Sequence, residues 1–321
     1  MKILVTGAAG FIGSHLVEAL LRCGDEVIGL DNFNDYYDPR RKQANLNEVR
    51  SHPRFTFYHA DIRDAGYMEQ IVAHHRPDAI AHLAAMAGVR YSVGRAGLYT
   101  DVNIRGTVNL LEAARLNGIS HFVFASTSSV YGETEQVPFV ESDPCNHPLA
   151  PYPASKKAGE IIGYTYWQLH GIHFTALRFF SVYGPRGRPD MMPFRVMNSA
   201  VNGTPVQLFD GGRMRRDWTY VEDIIHGVVA ALERPLGYTV INLGRGNPVW
   251  MSDFVKIIAQ LVGKEVIVQE VPAPPSEPKM NYADITKARQ LLGYEPHITV
   301  VDGLTEMWRW YQREVMAGTG I

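Results

Sequence analysis

The chain reads as an α/β protein: a Rossmann-type, doubly wound parallel sheet with a smaller α/β substrate-binding domain. Three observations carry that reading. Short, nearly all-apolar runs alternate with amphipathic stretches through the first half, the pattern of strands covered by helices on both faces. The first run opens into the glycine loop Gly7-Ala8-Ala9-Gly10-Phe11-Ile12-Gly13. After Phe180 the texture shifts to the rigid, basic, turn-rich segment Gly184-Pro185-Arg186-Gly187-Arg188-Pro189.

The elements follow in order. Ile3-Leu4-Val5 is a strand, and Ile12, Leu16 and Leu20 recur at i, i+4 and i+8 as on a helix face. Further strands are expected at Val27 to Leu30, Phe55 to Tyr58, Ala79 to Leu83, Phe122 to Ala125 and Phe174 to Phe179. Repeated β-α alternation implies right-handed crossovers and an open sheet. Beyond Phe180 come a strand at Val206 to Phe209 and a strand edge and helix over Trp218 to Glu233. They are followed by a buried strand at Val240 to Gly244. Ser252 and Asp253 are expected to cap a helix over Phe254 to Leu261. Pro272 to Pro278 reads as an extended connection, and Val301 to Val315 as a closing amphipathic helix. The expected division is residues 1–180 as the dinucleotide domain, with 217–243 returning to it, and residues 181–216 and 244–321 as the second domain. The change near Phe180 is one of composition, not a flexible linker, so the two parts are expected to pack tightly.

Composition narrows the function classes. At 321 residues with 46% hydrophobic content, the chain has ample apolar surface for a core, which excludes disorder. Lys plus Arg is 31 and Asp plus Glu is 33, a net charge of −2. That balance gives no electrostatic case for nucleic acid or an anionic membrane surface. Two distant cysteines, Cys23 and Cys145, make neither a disulfide framework nor a metal site. No apolar run approaches the roughly 18 residues of a membrane span. The N-terminus goes straight into a strand, leaving no room for a signal peptide, so a cytoplasmic location is expected.

Strand, glycine loop and helix in that order form a cradle for a pyrophosphate. Gly7 and Gly10 allow a tight turn, Gly13 allows close helix packing, and the helix N-terminus offers unpaired N–H groups. Asp31 ends the second strand, where a carboxylate accepts hydrogen bonds from an adenosine ribose and repels a 2′-phosphate. With no arginine immediately after it, the expected cofactor is NAD, not NADP. Asp61-Ile62 follows the third strand and is placed to meet the adenine edge; taken alone, Asp61 reads as a helix N-cap.

Tyr152 and Lys156 stand at i, i+4, on one helix face, after the hydroxyl cluster Ser126-Thr127-Ser128-Ser129. A phenol ordinarily titrates near 10 and is a poor base at neutral pH. A neighbouring ammonium and a cationic nicotinamide favour its phenolate. Tyr152 is then positioned to take a proton from a sugar or alcohol hydroxyl, with Thr127 hydrogen-bonded to the same oxygen.

Taken together, these residues resemble the extended short-chain dehydrogenase/reductases, in their nucleotide-sugar epimerase and dehydratase branch. The resemblance spans essentially the whole chain. It rests on Gly7-x-x-Gly10-x-x-Gly13, Asp31, Asp61-Ile62 and His82-Leu83-Ala84-Ala85. It rests further on Asn103, Ser126 to Gly132, Tyr152-x-x-x-Lys156 and Arg216-Asp217-Trp218-Thr219. It implies tightly bound NAD, a UDP- or TDP-sugar substrate, transient oxidation at sugar C4 and a homodimer formed through a four-helix contact. By position, Tyr152 is the base, Lys156 tunes it and binds the nicotinamide ribose, and Thr127 takes the Ser/Thr role. Gly7, Gly10, Phe11, Ile12, Gly13, Asp31, Asn32, Asp61, Ile62, Leu83, Ala84, Ala85 and Asn103 are the expected cofactor residues. Arg216 matches the arginine that contacts the diphosphate.

The residues after Thr127 narrow the branch. The 4,6-dehydratases carry Asp-Glu there, and the UDP-glucuronate decarboxylases a glutamate before Val-Tyr-Gly; this chain has Ser128 and Ser129. The segments Arg178 to Met191 and Ala87 to Ser92 resemble those of UDP-glucuronate 4-epimerases. That resemblance implies conversion of UDP-glucuronate to UDP-galacturonate. Ser181 and Arg188 would hold the sugar carboxylate, and Arg90, Thr127, Ser128, Arg216 and Glu277 would belong to the substrate site. Serine replaces the commoner threonine at 181, Arg186 stands where an aromatic is usual, and Ser276-Glu277 replaces a Gly-Asp-like pair near the uridine. The alternatives are a 4-epimerase of neutral UDP-hexoses, a UDP-glucuronate decarboxylase, and a non-catalytic NAD-binding protein.

Overall fold

The computed structural model describes residues 1–134, 136–274 and 280–317. The strands are β1 (Lys2–Thr6), β2 (Glu26–Asp31), β3 (Phe55–His59), β4 (Ala79–His82), β5 (His121–Thr127), β6 (His173–Phe179) and β7 (Val182–Tyr183). They continue with β8 (Val206–Phe209), β9 (Arg215–Arg216), β10 (Thr219–Tyr220), β11 (Tyr238–Leu243), β12 (Val249–Trp250), β13 (Val268–Val271) and β14 (Met280–Asn281).

Seven of these make one sheet in the order β11-β6-β5-β4-β1-β2-β3. Every neighbouring pair in it is parallel. Period-two alternation sends Ile3 and Val5 to one face and Leu4 to the other. The helices Phe11–Arg22 and Val221–Leu232 cover the first face through Leu16, Leu20, Ile224 and Val228. The helices Ala65–His75, Gly106–Leu116 and Pro151–His170 cover the second, where Phe122, Phe124 and Phe174 pack. Between β1 and β4 the order of strand addition reverses. In an open α/β sheet that switch point leaves a crevice at the carboxyl ends of the strands.

After β6 the chain leaves the sheet and returns once. The helix Val221–Leu232 packs against Phe11–Arg22 and leads into β11, which pairs with β6 from Tyr238↔Phe174 to Leu243↔Phe179. The remaining pieces gather over the carboxyl ends: β8 paired with β13, and the small sheet β12-β9-β14, with the helices Met192–Asn202, Met251–Val262 and Val300–Tyr311. Asp217, just after β9, holds them together. Its buried carboxylate accepts from the N–H groups of Arg245 (2.9 Å), Gly246 (2.9 Å) and Ala283 (3.0 Å).

Three local expectations need correction. Ser252 does not cap its helix, which begins at Met251 with Trp250 as the uncapped N-cap; two strand residues, Val249 and Trp250, lead directly into it. The last helix starts earlier, at Val300, because Thr299 accepts the Asp302 N–H, and it passes into a wider π-turn at Gln312–Met316. Asp64, not Asp61, caps the helix Ala65–His75, accepting from the Tyr67 N–H at 3.0 Å. The connection Pro272 to Pro278 lies outside the described residues from Pro275 on.

Candidate active site

Gly7 and Gly13 have no space for a side chain. A Cβ on Gly13 would sit 2.0 Å from the Gly7 carbonyl oxygen, and one on Gly7, at φ +70°, 2.8 Å from the Ala84 nitrogen. The helix Phe11–Arg22 thus starts tight against β1, and its N-cap, Gly10, brings no side chain to its free N–H groups. A cleft of about 200 Å³ opens there. It is lined by Gly7, Gly10, Phe11, Ile12, Gly13, Asp31, Asn32, Ile62, Leu83, Ala84, Ala85, Tyr152 and Lys156. Asp31 accepts from the N–H groups of Ala9 (3.3 Å) and Phe33 (2.8 Å), and burial raises its pKa.

Two expected cofactor residues stand behind this lining. Asp61 pairs with Arg63, which holds its carboxyl down to about 2, and accepts from Asn32 Nδ2 at 2.9 Å. Asn103 clamps the loop after β4: it exchanges hydrogen bonds with the Met86 backbone (2.8 and 2.9 Å) and donates to Ser155 Oγ at 2.9 Å. His82 is buried between the hydroxyls of Thr6 (2.7 Å) and Thr107 (3.0 Å), and burial drives its pKa well below the usual value. It fixes the strand end from which that loop departs.

Tyr152 and Lys156 open the helix Pro151–His170, whose Pro151 sits in the first turn, where its missing N–H costs nothing. The face turned to the sheet carries Ser155, Lys156, Gly159, Glu160 and Gly163. A Cβ on Gly163 would lie 2.3 Å from the Phe174 ring, so the glycine lets the helix lie flat on β5 and β6. Tyr152 and Thr127, the last residue of β5, line the same cavity. Burial raises the Tyr152 pKa, while the Thr127 hydroxyl and the Arg188 charge act in the opposite direction. Burial also lowers Lys156 to about 7, and its ammonium lies 4.7 Å from the centre of the Phe124 ring.

A buried ion pair, not anticipated from the sequence, underlies this arrangement. Glu160, one turn beyond Lys156, accepts from Arg178 Nε (2.9 Å) and Nη2 (2.8 Å) on β6. It also accepts from Ser126 Oγ (2.6 Å), the neighbour of Thr127. Burial opposes the Glu160 charge, but these partners win and its pKa is lowered.

A larger cavity of about 880 Å³ adjoins the cleft. Thr127, Ser128, Tyr152, Ser181, Arg188, Arg90 and Arg216 all line it, so every expected substrate residue faces one space except Glu277, which lies outside the described residues. Tyr36, Asp190, Arg195, Gln207 and Phe209 line it as well. Tyr36 and Asp190 sit in loops, Arg195 stands on the helix Met192–Asn202, and Gln207 and Phe209 on β8; only the fold assembles them. The same holds for Lys42, which lines the cleft beside Asp31 and donates to the Asn34 carbonyl at 3.0 Å. Among the described residues no cluster of His, Cys, Asp or Glu could hold a metal ion, and both cysteines are free.

Comparison with known proteins agrees with this geometry. A family profile described as GDP-mannose 4,6 dehydratase matches residues 4–307. The UDP-glucuronate 4-epimerase of Thermodesulfobacterium geofontis is 41% identical over 313 residues, covering 97% of this chain and 96% of that protein. The crystal structure of the UDP-glucuronic acid 4-epimerase from Bacillus cereus, in complex with UDP-glucuronic acid and NAD, superposes with a TM-score of 0.90. It has 37% identity and covers 98% of this chain and 99% of that one. A UDP-glucose 4-epimerase from Thermotoga maritima, solved with UDP-glucose, gives a TM-score of 0.89 at 32% identity, covering 98% and 100%. Profile, relatives and site architecture converge: this chain belongs to the nucleotide-sugar epimerase and dehydratase family of the extended short-chain dehydrogenase/reductases.

Proposed function

We propose that the chain is an NAD-dependent UDP-glucuronate 4-epimerase, converting UDP-glucuronate to UDP-galacturonate. The observation that carries this reading is Arg188, which faces the same cavity as Tyr152 and Thr127 and whose charge acts against the burial that raises the Tyr152 pKa. A guanidinium beside the reacting hydroxyl suits a sugar whose C6 is a carboxylate. The close likeness to epimerases of UDP-glucuronate over nearly the full chain supports it.

The residues of the cleft fit the cofactor. The uncapped helix start at Gly10 suits a pyrophosphate, Asp31 suits a ribose with free hydroxyls, and Lys156 brings a cation to the nicotinamide end. NAD held there by Gly10, Asp31 and Lys156 would supply the hydride acceptor for C4 of the sugar and the donor for its return. Tyr152 Oη takes the C4 hydroxyl proton on the way out and gives it back on return. Thr127 hydrogen-bonds at the same oxygen and orients the phenol. Lys156, when protonated, favours the phenolate. Arg216, Arg90 and Arg195 place positive charge along the cavity for the diphosphate. With Ser128 and Ser129 after Thr127, the chain has no acid–base pair for elimination. The test is incubation with UDP-glucuronate, UDP-glucose and UDP-xylose, with products identified by NMR. Conversion of UDP-glucuronate to UDP-galacturonate is expected; turnover of neutral sugars only, or a UDP-pentose as main product, overturns the reading.

Residues 1–180 with 217–243 serve the cofactor, and the remainder closes over the nucleotide sugar. The protein acts in the cytoplasm; no helix among the described residues is long and apolar enough to cross a membrane. It works as a homodimer through the helices Gly106–Leu116 and Pro151–His170. Supporting this, Leu116, Ile161, Tyr164 and Leu169 expose apolar side chains there, Leu169 at 73%. Light scattering should return twice the chain mass, and Ile161→Glu should halve it; a monomeric wild type rejects the dimer.

A further inference from the structure

We propose that Asp190 and Tyr36 are positioning residues that aim the Arg188 guanidinium at the sugar carboxylate; this rests on the UDP-glucuronate reading above. A guanidinium offers two forked edges, one formed by Nε and Nη2 and the other by Nη1 and Nη2. Here Asp190 takes the first edge: Nε donates to Oδ1 at 2.9 Å and Nη2 to Oδ2 at 2.8 Å. Nη1 has no hydrogen-bond partner among the described residues. Nη2 also donates to Met191 Sδ at 3.6 Å, so Nη1 is the nitrogen left for a ligand in the cavity that Arg188 lines.

Asp190 is itself held from the other side. Tyr36 Oη donates to the same Oδ2 at 3.0 Å, and the Arg188 guanidinium lies 5.5 Å from the centre of the Tyr36 ring. Tyr36 in turn packs edge-on against Tyr91, centroids 4.8 Å apart. It belongs to the loop after β2, on the cofactor side, whereas Arg188 and Asp190 lie beyond β7. Tyr36 and Arg188 line both the cleft and the larger cavity. The arginine is thus fixed at the junction of the two spaces by a residue from each side.

Orientation matters here for a chemical reason. Oxidation at C4 makes the sugar a β-keto acid. If the C5–C6 bond aligns with the carbonyl π system, that bond breaks, its electron pair forms the enolate, and the carboxylate carbon leaves as CO₂. A guanidinium free to swing would still attract the carboxylate but would not hold its angle. A pinned one does both. Asp190 also supplies the counter-charge that lets Arg188 sit in the cavity wall without a ligand, so Asp190 is not a competitor awaiting displacement.

The test uses the full chain with NAD, comparing wild type, Asp190→Asn and Tyr36→Phe by calorimetric binding and product analysis, with Arg188→Ala as reference. Asp190→Asn should lower affinity for UDP-glucuronate about tenfold relative to UDP-glucose, the scale of one lost charged hydrogen bond. It should raise the share of CO₂ and UDP-pentose among products. Tyr36→Phe should move both readouts the same way by less, and it retains the carboxylate if Asp190→Asn fails to fold. Tighter binding of UDP-glucuronate by Asp190→Asn would mark the carboxylate as a competitor and overturn the proposal. Unchanged binding ratio and product ratio in both variants would also overturn it. Failure of the wild type to bind UDP-glucuronate at all would instead reject the functional reading beneath it.

Discussion

The role proposed for Tyr152 as the base depends on what surrounds it. Burial alone pushes its proton affinity up, and Thr127 and the Arg188 charge oppose that. Removing its hydroxyl takes away the proton acceptor and little else. Tyr152→Phe is expected to keep the fold and NAD binding while turnover falls by roughly 10²–10⁴-fold; near-normal turnover would remove Tyr152 from the mechanism. Lys156 pulls in the other direction. Its ammonium is buried, so its folded pKa drops from 10.5 to about 7. A lysine lowered in this way destabilises the fold fully below pH 7, and the penalty disappears as pH rises from about 7 towards 10.5. In protein free of cofactor and substrate, Lys156→Met should therefore unfold at higher urea than wild type at pH 7. The gap should narrow by pH 10; a gap that widens with pH would reverse the assigned shift. The same variant should lose turnover, since the charge that costs stability is the one that supports the phenolate.

At the level of elements, the catalytic helix is located by what lies under it. Gly163 brings Pro151–His170 against Phe174, and Glu160 ties it to both β5, through Ser126, and β6, through Arg178. Tyr152 and Thr127 are the outward ends of the same two elements. Breaking the pair leaves a buried guanidinium without its counter-charge. Glu160→Gln should destabilise the protein by about 3–5 kcal/mol, measured by urea unfolding, and should lower turnover more than it weakens substrate binding. A loss below about 1 kcal/mol would place the pair among weakly contributing ion pairs.

For the whole molecule, the decisive feature is that Tyr152, the proposed base, and Arg188, the arginine proposed to hold the carboxylate, reach one cavity from distant segments. Tyr152 belongs to the helix after β5, and Arg188 to the segment after β7. Arg186 and His15 fasten that segment to the helix after the glycine loop: Arg186 pairs with Glu18 at 2.6 Å, and His15 bonds the Pro185 carbonyl at 3.0 Å. Substrate grip and cofactor cradle therefore share one rigid support. Arg188→Ala should weaken UDP-glucuronate binding by on the order of 1.5–3 kcal/mol and leave neutral UDP-sugars far less affected. Its residual turnover should release more CO₂ and UDP-pentose relative to UDP-galacturonate. Normal UDP-glucuronate affinity in that variant would make Arg188 a bystander.

The sequence alone determined the sheet and its cofactor face. Apolar runs such as Phe122-Val123-Phe124-Ala125, alternating with amphipathic helical stretches, point to strands covered on both faces of a parallel sheet, and Gly7, Gly10 and Gly13 work through local backbone geometry that spacing reveals. Tyr152 and Lys156 were legible because a helix fixes i and i+4 on one face. Helix starts are less so: Ser252 resembles a cap, yet the short strand before it carries the chain into the helix at Met251, three residues before the expected Phe254. What tertiary structure decided is everything that depends on distant segments meeting. Arg188 stands in a turn-rich basic segment whose spacing carries no direction; the fold puts it in the cavity wall beside Asp190 and Tyr36, residues whose sequence surroundings carry no period. Glu160 and Arg178, 18 residues apart in the chain, become partners only when the helix is laid across β6. Local patterns encode backbone conformation and burial, because both repeat along the chain. Side-chain convergence across loops does not repeat, so it is set only when the sheet, the covering helices and the returning segments have packed.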